Sequence, residues 1–161
     1  MQLDHELTAR LKFLCRVTRK ESKYLQETDA RLFSTPLDIE TLRHLTKDSA
    51  LAERLDAFVS RFGRLQDTLA DKLLPTLLDA MAERRASAIE NLDRAEKLGW
   101  LSSTEDWLVM RKLRNQMVHE YIEDLVVLHN ALTAGHDFVS TLSDTTERLI
   151  DQAQQRIGQQ S

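Results

Sequence analysis

The stretch LAERLDAFVSRFGRLQDTLADKLLPTLLDAM, residues 51–81, decides what kind of chain this is. Its apolar residues fall at Leu51, Leu55, Phe58, Val59, Phe62, Leu65, Leu69 and Leu73. Steps of three and four return to one side of a helix at every turn, whereas a strand needs alternation in twos. The stripe predicts a helix longer than about 25 residues, with Ser49 as its N-cap. Pro75 lacks a backbone N–H and its ring crowds the preceding turn, so a kink is expected there. A break is not, because LLPTLLDAM resumes the pattern at once.

The same period extends outward in both directions. Upstream, Leu3, Leu7, Leu11, Leu14 and Val17, continued by Tyr24, Leu25 and Leu32, predict a first helix ending at Phe33. Ser34, Thr35 and Pro36 stop it, and Asp38 or Thr35 is expected to cap a short helix through Leu45. Downstream, MAERRAS (81–87) loosens into a turn, and SAIENLDRAEKLGW reads as a helix closed by Gly99. Ser102 or Ser103 then caps a helix whose first turn holds Glu105 and Asp106, suited to the positive end of its dipole. It carries Trp107, Leu108, Met110, Leu113, Met117 and Val118. A last helix shows Leu125, Val126, Leu128, Leu132, Phe138, Val139, Leu142, Leu149 and Ile150, before a tail, QQRIGQQS, expected to fray. The pattern predicts an all-α, up-and-down helical bundle of four to five main helices. It forms a single domain over residues 1–161 with its core over about 3–152.

Composition agrees. In 161 residues, 42% hydrophobic and 30% charged, four glycines and two prolines leave room for few connections and so favour long helices. The net charge of −4 means that any nucleic-acid site must be a local patch on an acidic body. The single cysteine, Cys15, excludes an internal disulfide. The N-terminus, MQLDHELTARLKFL, is charged throughout and does not read as a signal peptide. No apolar run approaches the ~20 residues of a membrane span. A cytoplasmic location without a membrane partner is expected.

Against this background RKLRNQMVHEY, residues 111–121, concentrates chemistry. Metal-free RNA cleavage needs a group to take the 2′-hydroxyl proton, a group to protonate the leaving oxygen, and a cation for the charge on phosphorus. Histidine titrates near neutrality and can serve as acid or base. Arginine's planar fork matches two phosphate oxygens and stays charged. Arg114 and His119 supply both, but five positions put them about 140° apart on a regular helix. Asn115 and His119, four apart, do share a face. Spacing alone leaves an ordinary helix surface as the plainer reading.

The run Arg114-Asn115-Gln116-Met117-Val118-His119-Glu120-Tyr121 resembles R-N-x-x-x-H-x-Y, a form of the R-x(4–6)-H motif of the HEPN superfamily. It is most similar to the HepT-like toxins and their nucleotidyltransferase-associated relatives. FVSRFGRLQD (58–67) resembles the family too, and the likeness spans residues 8 to 152. The resemblance implies a HEPN-like helical domain that forms a homodimer, with two motifs along one cleft, and a metal-independent endoribonuclease without a cofactor. It assigns His119 as general acid/base and Arg114 as the group that binds the scissile phosphate. Asn115 becomes a support that orients His119 or touches RNA, and Arg111 and Lys112 extend the positive patch. It also implies a toxin–antitoxin pair whose MNT-type nucleotidyltransferase antitoxin transfers AMP to Tyr121, adding charge and bulk that repel RNA. Packing on the bundle is an equal reading for Tyr121, and a solvated face for Arg111 and Lys112. Some relatives act instead as non-catalytic, substrate-binding partners of the nucleotidyltransferase, and the acidic charge leans that way or toward a toxin with a very local RNA site. A plain scaffold with a vestigial motif is the third reading.

His129 and His136, seven residues apart, could share a helix face, with Asp137 beside the second. A metal wants three or four ligands at a recognisable spacing, and His5 and His44 lie in distant segments. No nucleophile elbow or phosphate-cradling glycine loop is present. Trp100 and Trp107 flank a turn and are expected to pack on each other or on the core.

Overall fold

A computed structural model describes residues 4–83, 86–119 and 123–158. Among them there is no strand, and the protein is an all-α bundle. Helix α1 (His5–Leu32) starts at Asp4, whose carboxylate accepts from Leu7 N at 2.6 Å, and stops at Phe33. Asp38 caps the short α2 (Ile39–Arg43), and Thr35 has no part in it. That helix ends before Leu45, which opens a single tight turn, Leu45–Lys47.

The long stripe forms α3 (Ser49–Asp67), a π-helical segment (Thr68–Leu73) and α4 (Leu74–Ala80) as one continuous rod. Its N-cap is Asp48 rather than Ser49: the Asp48 carboxylate accepts from Leu51 N at 3.1 Å, leaving Ser49 as the first helical residue. Aspartate and serine are nearly equal caps, so position, not propensity, decides between neighbours. The expected disturbance at Pro75 takes the form of the widened π turn just before it, where Leu74 N bonds back to Leu69 O. The Thr76 hydroxyl donates to Lys72 O at 2.7 Å, giving that carbonyl a side-chain partner. Widened turns of this kind often mark functional positions.

Ser87 caps α5 (Ala88–Lys97), accepting from Glu90 N at 3.2 Å. Gly99, at φ +80°, takes the left-handed conformation that closes it, with Trp100 N reaching Ala95 O at 2.9 Å. Ser103, not Ser102, opens α6 (Thr104–His119) by accepting from Asp106 N at 3.0 Å. Asp124 caps α7 (Leu125–Gly158). This helix outruns the expected end near 152, because Ala153 is buried and Ile157, one turn on, packs against the core. The tail is helical as far as Gly158.

Helix α1 lies along α3 and α7, and α6 lies between α3 and α7. At their junction Phe58 and Phe62 are fully buried with ring centroids 5.6 Å apart, and Phe33 meets Phe58 edge-on. Trp100 and Trp107 are both in this core. Losing an aromatic ring from such a site costs about 3–5 kcal/mol, so the packing fixes the α3–α6 register that positions the motif. No helix among the described residues is long and apolar enough to cross a membrane.

Candidate functional site

Helices α3 and α6 pack antiparallel, and their charges match in spacing. Asp67 and Asp71 are four apart on the rod, and Arg111 and Arg114 three apart on α6, so each pair sits one turn above the other. Arg114 Nη1 donates to Asp67 Oδ1 at 2.6 Å, and Arg111 Nη2 to Asp71 Oδ1 at 3.3 Å. The Arg114 pair is half-exposed, its side chains showing 34% and 40% of their surface. Solvent therefore screens it, and its value is orientation more than stability.

Gly63 completes the seat. A methyl group there would lie 2.5 Å from Arg114 Nε and 3.0 Å from its Cζ. Only a residue without Cβ lets the guanidinium rest against the α3 backbone in this way. The remaining Arg114 donors make no hydrogen bond among the described residues.

His119 is the last residue of α6 and is exposed. It lines an open groove with Asp56, Val59 and Ser60 of α3 and with Met117, Val118 and Glu123. Arg114 does not line this groove. The two motif residues thus both border α3, at successive levels, without entering one cavity. The arginine side chain reaches Gly63 and Asp67, whereas His119 faces Asp56, Val59 and Ser60, so the 140° expected between them is not closed within one chain. Asn115 and Lys112 are exposed. Arg111's charge is engaged by Asp71 rather than offered to solvent alone. Tyr121, the expected modification site, lies outside the described residues.

The π segment gathers further charge. Glu21 of α1 sits beside it, and burial pushes its carboxyl above the usual carboxylate range. The Thr68 hydroxyl, Arg64 and Lys72 oppose that shift, and Asp67 adds to it. Away from the seam, His136 Nδ1 lies 2.6 Å from Asp29 Oδ1 and its ring stacks on Phe33, a tie between α1 and α7. Cys15 is buried, which raises its thiol pKa and makes it a poor nucleophile. No group of three or more His, Cys, Asp or Glu among the described residues is placed to hold a metal ion.

Asp67, Gly63 and Asp71 are the residues that motif reading missed. For the two aspartates the signal was the complementary spacing of opposite charges on two helices, which has meaning only once the helices are known to pair. Comparison of the chain with family models, with curated proteins and with solved structures finds no match.

Proposed function

We propose that this protein is a metal-independent endoribonuclease of the HEPN type, the toxin of a pair with a nucleotidyltransferase antitoxin. The observation that carries the reading is the seating of Arg114: one nitrogen on Asp67, its stem against Gly63, and the exposed His119 at the end of the same helix. An arginine oriented in advance, with donors to spare, suits a phosphate whose charge grows as the reaction proceeds. In the proposed reaction the 2′-oxygen attacks phosphorus and the bond to the 5′-oxygen breaks. Histidine takes the 2′-hydroxyl proton, and histidine returns a proton to the leaving oxygen. Two copies of the motif along a two-fold cleft supply both histidines and bring arginine and histidine of the pair closer than one chain does. Val118, 55% exposed in the lining of the groove, suits such a homodimer. Tyr121 remains the proposed acceptor of AMP.

A second reading has its own support. Both α6 arginines already hold aspartates, and Asp56 and Glu123 border the His119 groove with charge that repels RNA. These features favour a non-catalytic partner that presents substrate to a nucleotidyltransferase. Growth separates the two. The toxin expressed alone arrests cells, and His119→Ala relieves the arrest. Harmless expression of both forms at equal level is the result for the companion.

A further inference from the structure

The net charge of −4 is unevenly spread. Between Lys12 and Lys23, α1 carries a single acid, Glu21, against the cations Lys12, Arg16, Arg19, Lys20 and Lys23, and the exposed Glu27, one turn further on the same face, ends the stripe. At 100° per residue these five fall within about 100° of the helix circumference and over about 17 Å of its length. Glu21 is turned about 150° from the centre of that face, toward the π segment. All five cations are exposed, and none forms an ion pair among the described residues. The outer faces of α3, α5 and α7 differ: each mixes acids with bases, as with Glu53, Arg54 and Asp56, or Glu147, Arg148 and Asp151. Mixed signs are the ordinary solvated surface, and an unmixed stripe on an acidic body is not.

Two aromatic rings edge the stripe on one side. Phe13 is 54% and Tyr24 46% exposed, at its two ends. Tyr24 is held in place: Arg61 lies 5.5 Å from its ring centroid and donates to the Tyr24 carbonyl at 3.3 Å and to the Thr28 hydroxyl. A large exposed ring that is also immobilised is a poor solvent surface and a good stacking platform.

We infer that this face of α1 is a binding track for single-stranded RNA, its cations on the phosphates and Phe13 and Tyr24 against unpaired bases. A duplex offers phosphates but no open base face to the rings. A lipid surface fits less well, because α1 spends its apolar side, Leu11, Leu14 and Leu25, inside the bundle. Glu21, on the same helix, feels Asp67, the partner of Arg114. The track therefore runs at the height of the α3–α6 seam but on the opposite side of α1 from it. Binding by the track needs neither Arg114 nor His119 and stands apart from the cleavage reading.

The test is fluorescence anisotropy with a labelled single-stranded oligouridylate of about 20 nucleotides, in chelator, on the full chain carrying His119→Ala so that the strand stays intact. Binding should weaken with salt with a log–log slope of about −3.5, as expected for five phosphates on a single strand. Lys12→Glu/Arg16→Glu/Lys20→Glu should lose about 100-fold or more, and Phe13→Ala/Tyr24→Ala about tenfold. Arg114→Ala should change the slope by less than about 0.7. All of these positions but Arg114 are exposed, so thermal midpoints within about 2 °C of the parent confirm folding. Undetectable binding at low salt, affinity unchanged in the triple variant, or equal binding of a duplex would each overturn the inference. So would equal, triple-sensitive binding to phosphatidylserine vesicles, which assigns the face to a membrane surface. A strand bound by the His119→Ala chain but uncut by the unsubstituted one sinks the nuclease reading and leaves this one standing.

Discussion

On α6, Arg114 and Arg111 lie against Asp67 and Asp71 at 2.6 and 3.3 Å. On the outer face of α1, five cations meet no carboxylate among the described residues. The first arrangement fixes where a guanidinium points and cancels most of its long-range field. The second leaves side chains free to move and their field uncancelled. In water, a paired arginine is good at recognising one phosphate in one place, and an unpaired stripe is good at attracting a polyanion from a distance. A net charge reveals neither.

The contrast can be broken most sharply at Arg114. Arg114→Ala is expected to lower RNA cleavage by about 100- to 1,000-fold, while Arg111→Ala leaves it within about threefold, since only Arg114 has the Gly63 seat. Equal losses at both positions would show that α6 contributes bulk charge, as α1 does. Gly63→Ala comes next. The added methyl displaces the guanidinium, and a misplacement of about 1 Å costs up to about 100-fold in rate. Stability should hold within about 1 kcal/mol, because alanine's better helix propensity offsets the lost pair. Cleavage unchanged in a folded Gly63→Ala protein contradicts the idea that the seat matters.

Smaller effects sharpen the same picture. Asp71→Asn breaks a pair whose side chains are 36% and 50% exposed, so unfolding free energy in urea should change by no more than about 0.5 kcal/mol. Glu21→Gln should raise the melting temperature by about 1–3 °C near neutral pH. The folded-state pKa of Glu21 is raised by burial, so its ionised form opposes folding above that value. As pH falls through the folded pKa toward the unfolded one the penalty disappears, and the two proteins should melt together at about pH 4. A gain that persists in acid would assign the effect to packing.

How much of this was legible in the sequence follows from how local each feature is. The helices were readable because Leu51 to Leu73 repeats at helical spacing, and the Gly99 closure because a left-handed residue just past a helix favours glycine. The cap at Asp48 was one residue away from the expected Ser49, a difference smaller than cap propensities resolve. The reach of α7 to Gly158 depends on Ile157 finding the core, a tertiary fact. Arg114 and His119 were readable as a motif, but the partner of Arg114 is 47 residues away in sequence. The α1 stripe is present in the letters, but in sequence alone it is indistinguishable from the polar face of any amphipathic helix. Its lack of pairing partners shows only when neighbouring helices are in place.

The most direct measurement is cleavage of single-stranded RNA by the purified protein in chelator, beside His119→Ala. The account predicts fragments from the parent and none from the variant, with strand binding retained by both. Intact RNA with a folded, RNA-binding parent, or equal cleavage by the two proteins, would contradict it.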